Sequence, residues 1–265
     1  MTQAPRSAAL AADLEIRTHD GLCVVTLNRP ARRNAVTLAM WQGLAAHFSA
    51  MAADRSVRAA ILTGAGSDFS AGADISEFSG LRDDAAQAHA YEVAVDAACA
   101  AIARAPQPVI AVNRGYTLGG GAHLAMSADF RFAAPDAQFG IPAARLSIVY
   151  GVQATRKLLA LVGLTQAKRI LYSAQRFGAA EALKIGFVDR LAEDPMAEAA
   201  AFAAELMALA PLSQGGAKYI LNGLTLGAFD PSQAEALIDA AAASRDYAEG
   251  RAAFATRRAP RFEGL

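Results

Sequence analysis

An α/β fold is predicted for this chain by three observations. Strand-like apolar runs alternate with helical stretches from Leu14 to about Leu191. Two of those runs, Ala59 to Thr63 and Pro108 to Val112, lead into glycine-containing turns. Hydrophobic residues make up 54% of the 265 residues and charged residues 19%, which suits a packed core and excludes a disordered chain. The alternation leaves two arrangements open, a doubly wound sheet and a coiled stack of ββα units. Behind Asp194 the pattern is purely helical, so a β/α core over residues 1–194 is expected to be followed by a helical region over 195–265. That region is too apolar to stand alone and is expected to pack on the core or on a second subunit.

Leu14 to Arg17 alternates as an edge strand does, and Leu22 to Leu27 reads as a buried strand. Asp20-Gly21 between them is a hairpin signal. Thr37 is placed to cap a helix whose apolar face is Trp41, Leu44, Phe48 and Met51. Val57 to Thr63 is the next strand. Ser79 to Asp84 is polar and loop-like, Ala85 to Ala105 is a long helix, and Pro106 stops it. Val109 to Val112 is a strand. Asp129 to Phe132 and Gln138 to Gly140 are short strand candidates, and Val188 to Leu191 a last one. Helices are expected over Val152 to Leu161, Thr165 to Tyr172 and Ala179 to Ile185.

The 25 basic and 25 acidic residues cancel, which argues against nucleic acid or an anionic membrane as partner. No apolar run reaches membrane-spanning length. Met1 to Ala12 lacks the apolar centre of a secretory signal and reads as a short frayed leader, so a cytoplasmic location is expected. Cys23 and Cys99 lie in apolar surroundings and read as buried free thiols. The four histidines show no metal-ligand spacing, and no metal is expected.

The chemistry is carried by the glycine turns. Leu118-Gly119-Gly120-Gly121 opens a helix, where the first N–H groups have no internal partner and carry the positive end of the helix dipole. Ser70-Ala71-Gly72-Ala73-Asp74-Ile75 is a second such turn. Two turns that each offer one N–H to a single oxygen form an oxyanion hole.

Together these residues resemble the crotonase (enoyl-CoA hydratase/isomerase) superfamily. Leu27-Asn28-Arg29-Pro30 with Asn34-Ala35, Ser70 to Ile75, Gly115 with Leu118 to Gly121, Phe139 to Pro142, Gly186-Phe187-Val188, and Phe254 with Arg257-Arg258 and Pro260 to Phe262 follow the family's order from Leu14 to Phe262. The resemblance implies a spiral of ββα units, a helical C-terminal region that builds homotrimers or hexamers as dimers of trimers, and an acyl-CoA thioester as partner. No separate cofactor is implied, since coenzyme A enters as part of the substrate. The thioester oxygen would lie between the amides of Ala73 and Gly120. Ala31, Arg32, Ala71, Asp74, Ile75, Gly119, Ala143 and Arg257 would contact the substrate. Arg32, Arg33 and Arg257 suit the CoA phosphates. Asp74 suits a loop-holding cap.

The chain departs from the pattern where hydratases of the family carry two glutamates. His123 stands at the first position and Ala143, just after Pro142, at the second. Alanine cannot hold a water or exchange its protons, so ordinary enoyl-CoA hydration is not expected. Two readings of His123 stand: an acid or base leaning toward the thioester, its pKa lowered by the helix end, or a residue filling the glutamate's space. Tyr150 occupies a place where decarboxylating relatives such as methylmalonyl-CoA decarboxylase also have a tyrosine. It reads either as a proton donor or as a turn tyrosine with a satisfied hydroxyl. Decarboxylation, thioester hydrolysis, C–C cleavage and acyl-CoA binding without turnover are the alternatives to hydration.

Overall fold

The computed structural model describes residues 12–78, 84–227 and 229–265. The leader expected over Met1 to Ala12 and the loop expected over Ser79 to Asp84 fall outside these residues, apart from Ala12 and Asp84.

Strands β1 (Leu14–His19) and β2 (Leu22–Leu27) form the expected antiparallel hairpin, with Asp20 and Gly21 both at positive φ in its turn. From β2 onward the sheet is parallel. Strands β3 (Ala59–Gly64), β4 (Val109–Asn113), β6 (Phe130–Ala133) and β9 (Arg190–Leu191) complete the order β1-β2-β3-β4-β6-β9. A second sheet has the order β5-β7-β8, built from Tyr116–Leu118, Gln138–Gly140 and Phe177–Gly178. This is the α/β spiral of strand pairs and helices. Strands β5 and β8, three and two residues long, are absent from the sequence reading.

The large sheet is covered on both faces, which is why β3 and β4 read as unbroken apolar runs. Cys23, Val25, Ala60, Leu62, Val109 and Ala111 point to one face, against helices α1 (Leu38–Ala52) and α2 (Ala85–Arg104). Thr37 caps α1 by accepting from Met40 N, and Trp41, Leu44, Phe48 and Met51 are buried as expected. Ala59, Ile61, Ile110, Val112 and Phe132 point to the other face. There they meet Ala199 and Ala203 of a later helix, Pro195–Met207.

Helix α3 (Gly120–Ser127) follows the central glycines. Helix α4 (Val152–Ser173) bends at Gly163, whose φ of 71° and ψ of 169° separate the two expected helices. Helix α5 is Ala179–Lys184, α6 is Pro195–Met207 and α7 is Pro211–Leu226. Helices α8 (Pro231–Ala242) and α9 (Arg245–Thr256) end the chain. Among the described residues no single helix is long and apolar enough to cross a membrane.

Candidate active site

The site is built around the loop Ser70 to Asp74, which three neighbouring segments hold. Asn34, buried and at φ 53°, accepts from Arg29 N at 2.9 Å and donates to the carbonyls of Ala65 and Asp68. Its own carbonyl accepts from Ser70 Oγ at 2.7 Å, and Ser70 Oγ accepts from Gly72 N at 3.1 Å. Ala71 N donates to Arg33 O, Val36 N to Gly72 O, and Asp74 N to Val36 O. This last pair is a parallel bridge between Val36 and Ala73 that engages the groups on either side of Ala73. The amides on either side of Ala73, those of Gly72 and Asp74, thus have acceptors, and the N–H of Ala73 faces away from the bridge.

Helix α3 is brought to the same place from the opposite side. Leu118 N donates to Ser70 O at 3.0 Å and Gly119 N to Gly140 O at 2.9 Å. Gly121 must be glycine here, because a Cβ on it would lie 2.7 Å from Ser70 O. The result is close approach of two amides. A Cβ built on Gly120 would sit 3.3 Å from Ala73 N. Among the described residues neither the Ala73 N–H nor the Gly120 N–H has an acceptor. Both residues border a cleft of ≈ 130 Å³, floored by Trp41.

That cleft gathers Ala71, Ala73, Ile75, Gly119, Gly120, His123, Ala143 and Tyr150. The other sequence candidates lie elsewhere. Asp74 caps the short turn Ile75–Glu77 by accepting from Ser76 N, and its second oxygen accepts from Arg29 at 2.8 Å. Burial opposes ionisation, but the Ser76 hydroxyl and Arg29 outweigh it and hold this carboxyl below its ordinary value. Ala31 and Arg32 lie in an exposed turn, Pro30–Arg32. Arg257 ends α9 in a left-handed conformation, exposed and outside this chain's cleft. Among the described residues no group of three or more His, Cys, Asp or Glu side chains could hold a metal ion.

His123 is 3% exposed. Its Nε2 lies 3.4 Å from the Nζ of Lys157, itself buried, and Lys157 Nζ donates to Ser127 Oγ at 2.7 Å. Burial, and then the Lys157 charge, hold the imidazole well below its ordinary value, so the ring is neutral. Here the structure differs from expectation: burial and a buried lysine, which the sequence reading did not include, depress this pKa. An ammonium facing Nε2 makes that nitrogen the acceptor and puts the ring proton on Nδ1.

A stability prediction follows. As pH falls below about 6.5, the unfolded chain takes up this proton before the folded one does. The contribution is complete above that value and is lost below it. Thermal melts from pH 7.5 to 5.5 should therefore show a steeper fall for the wild type than for His123→Gln.

Tyr150 is half-buried, and its hydroxyl donates to Gly119 O at 3.0 Å. Its ring meets that of His123 edge-on, 6.3 Å between centroids. Burial first, then Cys99, Glu92 and Asp96, push the phenol well above its ordinary range. Cys23 and Cys99 are buried and free, and burial pushes the Cys99 thiol up to about 11. Sequence reasoning singled out none of Lys157, Glu92 and Asp96 as site residues. The signal for Lys157 was its place on the apolar Ala154–Leu158 face of α4. For the two acids it was their four-residue spacing in an alanine-rich helix.

Comparison with known proteins identifies the family. The family model described as enoyl-CoA hydratase/isomerase matches residues 17–265. Probable enoyl-CoA hydratase echA6 of Mycobacterium tuberculosis is 35% identical over 248 residues, covering 92% of this chain and 97% of the relative. A probable enoyl-CoA hydratase of Rhizobium meliloti is 33% identical over 254 residues, covering 94% and 97%. Among solved structures, an enoyl-CoA hydratase/carnithine racemase from Magnetospirillum magneticum superposes with a TM-score of 0.90 at 36% identity, covering 96% of each chain. An enoyl-CoA hydratase from Bacillus anthracis does so with a TM-score of 0.86 at 29% identity, covering 96% of this chain and all of that one. With near-complete coverage in sequence and structure alike, the chain belongs to the enoyl-CoA hydratase/isomerase family of the crotonase superfamily.

Proposed function

We propose that this protein binds an acyl-CoA thioester in the cleft and draws the thioester oxygen between the N–H groups of Ala73 and Gly120. It then works through the thioester enolate without the paired glutamates of a hydratase. The observation that carries this reading is the pair of adjacent, acceptor-free amides at one cleft wall. An enolate concentrates its charge on that oxygen, where fixed donors act most strongly. His123, neutral and protonated on Nδ1, serves as a hydrogen-bond donor and not as the carboxylate base of a hydratase. Tyr150 holds the Gly119 carbonyl and so steadies the amide that follows it.

Ala143 lines the same cleft and brings no acid to it. Crotonyl-CoA hydration is therefore expected to run at least roughly a hundredfold below a relative that keeps both glutamates, since positioned acid–base groups typically contribute 10²–10⁴-fold. Side-by-side turnover within tenfold of such a relative would refute the reading. Malonyl-type, β-keto and β-hydroxy acyl-CoAs then distinguish decarboxylation, thioester hydrolysis and C–C cleavage. The same Ala143 favours a second reading, an acyl-CoA binder without chemistry, which tight binding and no turnover on that panel would select.

The reading includes a homotrimer, alone or paired into a hexamer. It is supported by apolar side chains left open on the C-terminal helices, among them Leu221, Leu224 and Phe254 at 63%, 66% and 88% exposure. The two free thiols suit a cytoplasmic location.

A further inference from the structure

The cleft lacks a carboxylate at positions 123 and 143, yet it is not without carboxylates. Helix α2 turns the face Tyr91, Glu92, Val95 and Asp96 into it. Glu92 and Asp96 are one helical turn apart, so both side chains emerge on one side of the helix. We infer that Asp96 is the general base of this cleft, a catalytic carboxylate delivered by α2 in place of those that α3 and the turn after Pro142 do not supply. The inference rests on the acyl-CoA reading above and names the group that moves the proton.

Four observations converge on Asp96 in preference to its neighbours. It lines the same cleft as the Ala73 and Gly120 amides. It is half-buried, and among the described residues no hydrogen bond holds its carboxylate, on which Lys157 acts only through its charge. Burial pushes its pKa up, with the Lys157 charge offsetting part of the rise, which moves the group toward the range where a carboxylate accepts a proton from carbon effectively. It also borders a second cavity, of ≈ 720 Å³, which Lys157 lines as well. His123 is less suited as base: its Nε2 faces an ammonium and its pKa is depressed.

The step balances within the cleft. The acyl Cα–H bond breaks and its proton passes to an Asp96 carboxylate oxygen. The electron pair forms the Cα–C double bond, and the carbonyl π pair moves to the oxygen between the two amides. Reversal in heavy water returns a deuteron to Cα.

The test is exchange of the α-protons of butyryl-CoA in D₂O, followed by proton NMR, with calorimetric binding of the same thioester in parallel. The wild type should exchange. Asp96→Asn should bind within about threefold of the wild type and exchange at least about a hundredfold more slowly, and Asp96→Glu should recover part of the rate. Exchange by Asp96→Asn within threefold of the wild type overturns the inference, as does a wild type that binds butyryl-CoA but never exchanges. A wild type that does not bind it at all overturns the acyl-CoA reading itself. Should Asp96→Asn not fold, Asp96→Ser gives the same readout.

Discussion

Gly72→Ala is expected to slow turnover of the best acyl-CoA substrate by roughly 10²–10³-fold, the usual loss when one oxyanion donor is misplaced. Gly72 sits at φ 100°, a conformation that side chains rarely adopt, and a Cβ there would lie 2.7 Å from Leu118 O and 3.2 Å from Gly120 N. The obstacle is backbone on both sides, so the loop must retreat from α3, and the Ala73 amide goes with it. A stability loss of about 1–3 kcal/mol should accompany the change. Steady-state kcat/KM, set beside a urea melt, measures both. Gly216→Ala is the control: Gly216 lies inside α7 with its nearest neighbour at 4.0 Å, so alanine should stabilise by about 0.5–1 kcal/mol and leave turnover alone. Equal turnover in the two variants would mean that the spacing of the amides does not matter to the chemistry.

The largest stability effect is expected at Arg131. Its guanidinium is 3% exposed and donates to Phe187 O at 2.9 Å, Ala128 O at 3.0 Å and Asp189 Oδ2 at 2.7 Å. Its backbone N–H donates to the same carboxylate oxygen, which ties β6 to the segment entering β9. Arg131→Met keeps most of the volume and strands two carbonyls, while Asp189, 36% exposed, keeps the backbone N–H of residue 131 as its donor. Each stranded buried acceptor costs about 1–3 kcal/mol. The denaturation midpoint should fall accordingly. Arg114→Ala should cost no more than about 1 kcal/mol. That residue pairs with Asp194 at 3.0 Å, but the two side chains are 38% and 65% exposed. Comparable losses would show that enclosure is not what gives the Arg131 cluster its weight.

Which features were legible in the sequence follows from how locally each is determined. The Asp20-Gly21 hairpin, the Thr37 cap and the apolar runs of β3 and β4 rest on short-range rules, and the sequence carried them. So did the break near Gly163, read as a gap between two helices. The glycine turns suggested two amides facing one oxygen, because bare backbone after a strand leaves few other uses. What fixes their spacing was not legible. Asn34 stitches its turn to Asp68 and Ser70, and Ser70 pairs with β5, a strand the sequence reading did not include. The partner of His123 was equally hidden, since Lys157 lies 34 residues away and meets it only once α4 folds against α3. Asp96 and Glu92 were not singled out in the sequence, and the cleft places them at its wall.

The parallel bridge between Val36 and Ala73 divides labour inside the molecule. The two donors belong to a stitched lattice of strand ends and turns, whereas one wall of the cleft is a face of α2 on which Tyr91 and Val95 stand beside Asp96. Natural variation could therefore reshape α2 around Asp96 to admit a longer, shorter or more acidic acyl group and leave the pull on the carbonyl untouched. Selectivity and electrophilic activation would then evolve on separate parts of the chain.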